Sequence, residues 1–476
     1  MTQQILKLTT WGILSAVLLL CSTAWAKPSN MLFILVDDLG YADVGSYGNT
    51  LHETPNVDQL AADGLRFTDA YAACAVCSPS RASIQTGQYP IRFGITDWIP
   101  GAQKINTALK ERYTERMLPL EATTIAEAVK AQGYRTAFVG KWHLNDEDHS
   151  TGFPEDQGYD INIGGHHKGQ PPSGYFAPFN NPRMENKPDD DYLTDRMGDE
   201  AVALIESFSE DPEQPFFLML ALYTVHTPLQ PKPELLAYYQ QKLKDDPTSQ
   251  WTNPKYAAMV HSMDENIGRV LQALEAQDLE KDTIVVFFSD NGGLRNVTSN
   301  TPLSQGKGYY KEGGIRVPLI IRYPEHIDAG SETAVPAISN DLFPTLLDLA
   351  GLPLMPELHK DGVSLKPLTE GQATLERKAL YWHYPHYHGA GEKPTSAIRM
   401  GDYKLIRHYE NGRLELYNLS KDIGEARNLI GSLPEKAAEL EQQLNQWLVA
   451  QGAYIPRANP DYDPTKPTKK KKKKNK

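Results

Sequence analysis

The stretch MLFILVDD, residues 31–38, indicates a buried strand that ends on two aspartates. Short apolar runs rich in β-branched or aromatic residues are typical of strands that are covered on both faces. Four similar runs follow, namely RTAFVG (135–140), FFLMLAL (216–222), TIVVFF (283–288) and VPLIIRY (317–323). Helical patterns lie between them, including TTIAEAVKAQG (123–133) and YAAMVHSMDENIGRVLQALEAQ (256–277). This alternation predicts an α/β fold with a large mixed, mostly parallel sheet sandwiched by helices.

The pattern changes after residue 352, where strands no longer alternate with helices. ALYWHY (379–384) indicates one strand, and SAIRMGDYKLIRHYENGRLELYNL (396–419) indicates a meander with turns at Gly401 and Asn411. PEKAAELEQQLNQWLVAQG (434–452) indicates a helix. We therefore predict a main domain over residues 27–352 and a smaller C-terminal α+β subdomain, an antiparallel meander with a helix, over residues 353–456.

The first 26 residues resemble a secretory signal peptide that is cleaved after Ala26. Lys7 precedes an apolar run at 11–20, and small residues flank the predicted cleavage point. A membrane anchor is the alternative, but this run is shorter than the ~20 residues that a membrane span needs. The sequence thus predicts an exported protein, periplasmic or secreted, without stable insertion into a membrane.

The net charge of −12 is unevenly distributed along the chain. Residues 461–476 contain eight lysines and two aspartates, so the rest of the chain is more acidic than the whole. An acidic body binds polyanions poorly in general, which argues against a nucleic-acid partner. We expect residues 457–476, with the run Lys469–Lys474, to form a disordered tail. Such a tail could bind a polyanionic polysaccharide, lie on an anionic cell surface, or have no partner.

Removal of the leader leaves two cysteines, Cys74 and Cys77, which excludes a disulfide-stapled scaffold. Their CxxC spacing is also found in redox pairs, and that alternative remains open.

Polar side chains stand just past the ends of four predicted strands. Ligands of open α/β sheets bind outside the carboxyl ends of the strands, so these side chains are expected to meet there. Each of them alone has an ordinary explanation, such as a capping turn or a loop surface, but together they indicate a binding site. They are Asp37, Asp38, Lys141, His143, His226, Asp290 and Asn291.

The oxygen donors among them indicate a metal ion. Carboxylate and amide oxygens suit Ca²⁺ or Mg²⁺, whereas zinc prefers imidazole or thiolate ligands. Ca²⁺ is the expected ion for an exported protein, with Mg²⁺ as the alternative.

The segment CSPSRASIQTG, residues 77–87, resembles the signature of the type I sulfatases, Cys-x-Pro-Ser-Arg followed by Thr-Gly. Further blocks resemble that family in its order: ILVDDLG (34–40), GKWH (140–143), SDNGG (289–293) and GKGYYKEGGIRVP (306–318). The similarity runs from about residue 30 to residue 429, and the chain resembles bacterial exported polysaccharide sulfatases. It implies the alkaline-phosphatase-like fold, with residues 27–352 as the catalytic domain.

The resemblance implies that Cys77 is oxidised to formylglycine (3-oxoalanine) by a maturation enzyme that reads Pro79 and Arg81. One hydroxyl of the hydrated aldehyde would attack sulfur, and deprotonation of the other would release sulfate. By the same resemblance, the metal ligands would be Asp37, Asp38, Asp290, Asn291 and modified Cys77. Arg81 would stabilise the hydrated aldehyde and His143 would take the proton. Lys141, His226 and Lys307 would bind the sulfate, with Lys311 as the rival of Lys307.

Two predicted loops favour a sugar substrate, because aromatic and imidazole groups pack on pyranose faces and bind hydroxyls. They span 164–176 and 381–394 and supply His166, His167 and His386, and Arg295 could bind a second anionic group. We expect an exo-acting sulfatase of a sulfated glycan, such as an algal galactan or a glycosaminoglycan. The alternatives are a broad arylsulfatase, a phosphate or phosphonate monoester hydrolase, and an inactive binding protein. The sequence does not indicate the oligomeric state.

Overall fold

The computed structural model describes residues 29–101, 104–187 and 191–470. The predicted leader, residues 1–26, lies outside this part of the chain. The strands are β1 (Asn30–Val36), β2 (Leu65–Phe67), β3 (Ala70–Tyr71), β4 (Lys104–Ile105), β5 (Leu109–Lys110), β6 (Arg135–Gly140), β7 (Ile161–Ile163), β8 (Phe216–Ala221), β9 (Thr283–Ser289), β10 (Leu319–Arg322), β11 (Ser331–Thr333), β12 (Ala337–Ile338), β13 (Leu380–Tyr384), β14 (Thr395–Met400), β15 (Tyr403–His408), β16 (Leu414–Asn418), β17 (Arg457–Ala458) and β18 (Lys469–Lys470). The helices are α1 (Pro55–Ala62), α2 (Cys77–Thr86), α3 (Ile125–Lys130), α4 (Leu193–Ser209), α5 (Pro233–Asp245), α6 (Pro254–Ala276), α7 (Glu312–Ile315), α8 (Leu342–Leu349), α9 (Lys366–Thr369) and α10 (Pro434–Ala450).

The main sheet has eight strands in the order β11-β2-β10-β9-β1-β8-β6-β7. β1 lies near its middle and pairs in parallel with both β8 and β9. β6 and β7 continue the parallel arrangement, whereas β10 runs antiparallel to β9. The predicted mixed, mostly parallel sheet is confirmed.

Helices cover both faces of this sheet, because the side chains of each central strand alternate between two cores. Met31, Phe33 and Leu35 of β1 pack in a cluster with residues of α2, α3 and α8. Leu32 and Ile34 point to the opposite side, into a cluster with α1, α4 and α6. Every residue of β1 is buried, as a strand covered on both faces requires.

The C-terminal meander and helix are also present. β13, β14, β15 and β16 form an antiparallel sheet in that order. One face packs on α10 through Ile398 and Leu405. The other face packs on the main domain, where Trp382 donates a hydrogen bond from Nε1 to the carbonyl oxygen of Ala72 at 2.9 Å. The domain boundary at residues 352 and 353 stays a prediction.

Residues 457–470 differ from the expected disordered tail. β17 pairs antiparallel with β5, and β18 pairs antiparallel with β4. The Asn106 side chain, between β4 and β5, bonds the main chain of Asp463 and Lys466, so the segment is held by contacts that its lysine-rich composition does not reveal. Of the helices in the described ranges, none is both long and apolar enough to cross a membrane.

Candidate active site

The carboxyl ends of four strands bring the predicted polar residues to one edge of the sheet. Asp37 and Asp38 follow β1, and Asp290 and Asn291 follow β9 directly beside it. Lys141 and His143 follow β6, and His226 lies in the loop after β8. Cys77 begins α2 and Lys307 lies in the loop before α7, so two further segments reach the same place. The ligand atoms of Asp37, Asp38, Cys77 and His226 all lie within 4.8 Å of one another.

The oxygen donors form a buried cluster that is held from several sides. Asn291 donates from Nδ2 to Asp38 Oδ1 at 2.8 Å, and the Asp38 backbone N–H donates to Asp290 Oδ1 at 3.2 Å. The buried Oδ1 of Asn291 accepts no hydrogen bond from the described residues. An orphaned amide oxygen beside three carboxylates is an arrangement that fits a hard cation.

The pKa values of the two adjacent aspartates are shifted in opposite directions. Burial raises the pKa of the Asp37 carboxyl to about 7, and the negative charges of Asp290 and Asp38 add to this rise. Burial also works against ionisation of Asp38, but the charges of Lys307, His226 and Lys141, with a hydrogen bond from Lys307, together outweigh it and hold the pKa of that carboxyl well below its usual value. A positive charge placed beside Asp37 and Asp38 would therefore favour the ionised form of both carboxyls.

Cys77 lies among these charges at the start of α2. Its Sγ is 3.6 Å from Asp37 Oδ1 and 3.4 Å from Lys307 Nζ. Burial raises the pKa of the Cys77 thiol to about 12, so the unmodified side chain is a poor thiolate nucleophile. Cys74 points elsewhere, with its Sγ 2.9 Å from the hydroxyl of Tyr310, and both cysteines are free thiols.

Three cations surround the cluster. Lys141 is fully buried, with Nζ 2.6 Å from Asp37 Oδ2, and Lys307 Nζ is 2.8 Å from Asp38 Oδ2. Arg81 donates from Nε to Asp290 Oδ2 at 2.8 Å, and its buried Nη2 has no hydrogen-bond partner among the described residues. Lys311 instead packs on the ring of Tyr417 and pairs with Glu415, and the assignment of Lys307 as the sulfate ligand stays a prediction.

His143 is buried and His226 is partly buried, and the surroundings of both histidines disfavour their charged form. Burial and the charge of Lys141 lower the pKa of His143 far below its ordinary value, and burial with the charge of Lys307 lowers that of His226 to about 3. His143 Nε2 lies 2.6 Å from the carbonyl oxygen of Ile99, so that nitrogen carries the hydrogen. His143 Nδ1 is therefore a lone-pair acceptor, and it has no partner in the described part of the chain.

Two adjoining cavities open over Cys77, Asp38 and Lys307. One has a volume of about 440 Å³ and is lined on its outer side by Trp98, Pro100 and His167. The other has a volume of about 530 Å³ and is lined by Arg295 and Tyr309, among others. His226, Lys307 and His388 line both, so the two cavities form one crevice.

Two of the four predicted substrate residues lie on this crevice, namely His167 and Arg295. His166 is almost fully buried and supports the site through its carbonyl oxygen, which accepts a hydrogen bond from the His143 N–H at 3.2 Å. His386 is also buried, because its Nε2 bonds Thr96 Oγ1 at 2.8 Å. His388 lines the crevice in its place.

Two family models match most of the chain. The sulfatase family model matches residues 29–352, and the model of the N-sulphoglucosamine sulphohydrolase C-terminal region matches residues 306–453. The chain belongs to the sulfatase family. It is a type I sulfatase of the alkaline-phosphatase-like superfamily and hydrolyses sulfuric esters.

Individual relatives are similar over most of this sulfatase. A sulfatase of Formosa agariphila is 31% identical over 94% of both chains. Human arylsulfatase A is 32% identical, over 89% of this chain and 87% of its own. The crystal structure of Ps i-CgsB in complex with k-i-k-neocarrahexaose superposes with a TM-score of 0.75 at 30% identity, over 88% of this chain and 92% of that one.

The sequence interpretation missed the apolar wall of the crevice. Trp98 and Pro100 lie 21 and 23 residues past Cys77, and no motif marks them. The fold places them there because the Ile99 N–H donates to Ser78 Oγ of α2 at 3.0 Å. The sequence analysis also missed Gly169, which leaves room for the His143 ring.

Proposed function

We propose that this sulfatase is an exported enzyme that removes sulfate from a sulfated polysaccharide or oligosaccharide, using a formylglycine made from Cys77 and a bound Ca²⁺. The proposal rests above all on one observation: Cys77 and a buried cluster of oxygen donors lie at the base of a crevice that is large enough for sugar rings.

Asp37, Asp38, Asp290, Asn291 and the modified Cys77 would hold the cation, with Mg²⁺ as the alternative ion. The unpartnered Asn291 Oδ1 supports this assignment, since it would otherwise be a buried acceptor without a donor. Formylglycine would supply the attacking oxygen, and the cation would lower the pKa of that oxygen and neutralise charge on the sulfate.

The remaining groups of the site would bind the sulfate and move protons. Lys141 offers a buried ammonium group to an anion and Lys307 a partly buried one, and fixed cations in such a site stabilise the charge that develops on the leaving oxygen. Arg81 would bind the hydrated aldehyde with its unpartnered Nη2. His143 is neutral and has a free lone pair on Nδ1, so it is suited to accept the proton whose loss accompanies sulfate release.

The crevice wall supports a sugar as the alcohol half of the ester. Trp98 offers an aromatic surface, while His167 and His388 offer nitrogen atoms that can bind hydroxyls. The complex of Ps i-CgsB, which is 30% identical, with k-i-k-neocarrahexaose supports an oligosaccharide as the ligand of this crevice. The sequence similarity to human arylsulfatase A supports a broad arylsulfatase as the second candidate.

Sulfate release from a panel of short sulfated oligosaccharides and simple aryl sulfates tests the proposal. We expect higher kcat/KM on at least one oligosaccharide, and we expect Trp98→Ala and His167→Ala to lower that value while aryl sulfate turnover persists. His326→Ala, whose ring stacks on Tyr323 away from the crevice, is the matched control. An aryl ester that is preferred by orders of magnitude, with no effect of His167→Ala on any sugar, would contradict the glycan assignment.

A further inference from the structure

The crevice over Cys77 has two lobes of different composition. One lobe, here called the Trp98 cavity, has a volume of about 440 Å³, and the other, here called the Arg295 cavity, has a volume of about 530 Å³. Lys307 lines both, so a sulfate bound by Lys307 adjoins both lobes. Each volume lies in the range of about 300–1,000 Å³ in which proteins bind small ligands. The rest of the substrate therefore has room to extend from Lys307 into either lobe.

The outer side of the Trp98 cavity offers no excess of positive charge. It is lined by the carboxylates of Asp146 and Glu147 and by one ammonium group, that of Lys168. The Asp146 carboxylate is also paired with the guanidinium of Arg116. Carboxylates accept hydrogen bonds from hydroxyl groups, and Trp98 offers a ring surface beside them. This lobe suits an uncharged sugar ring better than a second anionic group.

The outer side of the Arg295 cavity is positively charged. Arg295 lines it together with Asn296 and Tyr309, and Arg295 is exposed to solvent. The other two charged residues that line this lobe, Asp38 and Lys307, pair with each other at its base. No carboxylate in the described ranges forms an ion pair with Arg295. The guanidinium is therefore a cation that a ligand can neutralise.

Two neighbours position the guanidinium of Arg295. Its Nη1 donates to Gln305 Oε1 at 3.0 Å, and its Cζ lies over the Tyr309 ring, 5.6 Å from the ring centre. The Tyr309 hydroxyl in turn donates to the carbonyl oxygen of Ala390. A guanidinium that is already held in place loses less side-chain entropy when it binds a ligand. The N–H groups that Gln305 does not use can form two parallel hydrogen bonds to a sulfate or a carboxylate.

Arg295 is also in contact with the loop that carries Lys307. A Cβ built on Gly306 would lie 3.2 Å from the backbone nitrogen of Arg295, so the two segments pack directly against each other. The Lys307 N–H donates to the carbonyl oxygen of Gly293, two residues before Arg295, at 2.9 Å. Both side chains line the same lobe. Two anionic groups of one substrate molecule can therefore bind Lys307 and Arg295 together.

We propose that the Arg295 cavity binds a second anionic group of the substrate, a sulfate or a carboxylate on the sugar beside the scissile ester, while an uncharged ring lies in the Trp98 cavity. The inference rests on the proposed glycan function and deepens it. It names the substrate class, a glycan that is charged at two neighbouring positions, and it gives the direction in which that glycan lies across Cys77.

Matched disaccharides test this inference on the full-length protein. Three substrates share one sugar backbone and one scissile sulfate, and the neighbouring sugar carries a second sulfate, a carboxylate or neither group. The measured quantity is the selectivity, which is kcat/KM for a doubly charged substrate divided by kcat/KM for the singly charged one. Arg269→Ala is the matched control, because Arg269 is an exposed arginine that pairs with Asp199 and lines neither lobe.

Three variants separate the charge of Arg295 from its geometry. Arg295→Ala removes the cation, and Arg295→Lys keeps the charge but cannot form two parallel hydrogen bonds. Gln305→Asn shortens the side chain that holds the guanidinium. Gln305 has a φ of 64°, and asparagine tolerates this left-handed conformation, so the substitution leaves the backbone unstrained.

We expect the unsubstituted enzyme to prefer a doubly charged substrate, and we expect Arg295→Ala to lower this selectivity about tenfold, the scale of one hydrogen bond to a charged group. Arg295→Lys and Gln305→Asn should lower the selectivity less, and Arg269→Ala should match the unsubstituted enzyme. The larger of the two preferences identifies sulfate or carboxylate as the second group.

A selectivity near one in the unsubstituted enzyme overturns the inference. An equal loss of kcat/KM on all three substrates in Arg295→Ala also overturns it, because Arg295 would then act on the scissile sulfate or on the fold. A normal selectivity in Gln305→Asn overturns only the positioning role of Gln305. Absence of sulfate release from every glycan, in a preparation that cleaves aryl sulfates, overturns the proposed function instead.

Discussion

Three residues of the site each have a buried polar atom that forms no hydrogen bond within the described part of the protein. Asn291 Oδ1 is a buried acceptor with no donor in the described ranges, and Arg81 Nη2 and His143 Nδ1 are likewise unpartnered. Buried polar atoms are nearly always paired in native proteins, so three unpaired atoms at one site indicate a site built for a ligand.

Removal of the cation should abolish sulfate release and leave the fold intact, because the cluster lies at the sheet edge and the two apolar cores do not depend on it. We expect exhaustive chelation to remove activity and Ca²⁺ to restore it, with circular dichroism unchanged. Asn291→Ala should raise the Ca²⁺ concentration that restores activity, since it deletes one ligand. Full activity in a chelated sample that metal analysis shows to be metal-free would refute the cation's role.

The two cysteines should respond differently to substitution. Cys77→Ala should be inactive, and Cys77→Ser should be inactive or accumulate a sulfated serine where serine is not converted. Cys74→Ser should keep most activity, since its hydroxyl can retain the contact with Tyr310. Equal loss of sulfate release in Cys74→Ser and Cys77→Ala would favour a paired-cysteine mechanism.

At the scale of elements, the parallel pairing of β1 with β8 and β9 explains why motifs spread over the chain meet at one edge. The sequence predicted β1, β6, β8 and β9 almost to the residue, since each is a continuous apolar run. It did not predict β2, β11, β17 or β18, because strands of two or three residues are set by their partners and carry no periodicity. β10 was predicted as a strand, but its antiparallel direction depends on the long connection through Lys307 and α7.

The loop at 164–170 supports His143 by close packing. A methyl group at Gly169 would overlap the His143 ring. Gly169 does not have a left-handed backbone conformation, so alanine at this position would cause no backbone strain of its own. Gly169→Ala should therefore displace the ring and lower kcat by about a hundredfold, the scale of a 1 Å misplacement, with little change in melting temperature. Gly431→Ala, where an added Cβ meets nothing within 4 Å, is the control and should match the unsubstituted enzyme. A fully active Gly169→Ala variant would mean that catalysis does not depend on the present position of the His143 ring.

The meander is joined to the Lys307 loop by a buried ion cluster. Lys404 of β15 is fully buried, with Nζ 2.8 Å from Glu312 Oε1 and 3.0 Å from Glu425 Oε1. Lys404→Met removes the buried cation that the two carboxylates share and leaves Glu312 with Arg316 alone, so we expect a loss of about 3–5 kcal/mol in the free energy of unfolding. Lys436→Met breaks an exposed pair with Glu439 and should cost about 0–1 kcal/mol. Denaturant unfolding measures the free energy of unfolding of both variants. Equal small losses would show that the ion cluster does not hold the meander to the Lys307 loop.

For the whole molecule, the sequence predicted the reaction centre better than the substrate wall. Seven of the ten central residues lie at strand ends, and Cys77, Arg81 and Lys307 lie in short motifs of α2 and of the loop before α7, where local sequence determines position. The wall is built by segments far apart in the chain: His386 is drawn inward by Thr96, some 290 positions away, and His388 is left on the crevice. Three histidines within six residues, His383 to His388, look equivalent in sequence, and only the tertiary contacts distinguish them.

The account depends most on the conversion of Cys77 to an aldehyde. The decisive measurement is the mass of the Cys77 peptide from a preparation that releases sulfate. We predict a peptide lighter than the unmodified sequence, by the difference between a thiol-bearing methylene and an aldehyde group, in a fraction of molecules that rises with specific activity. A fully active preparation in which Cys77 keeps the mass of an intact thiol would contradict the account.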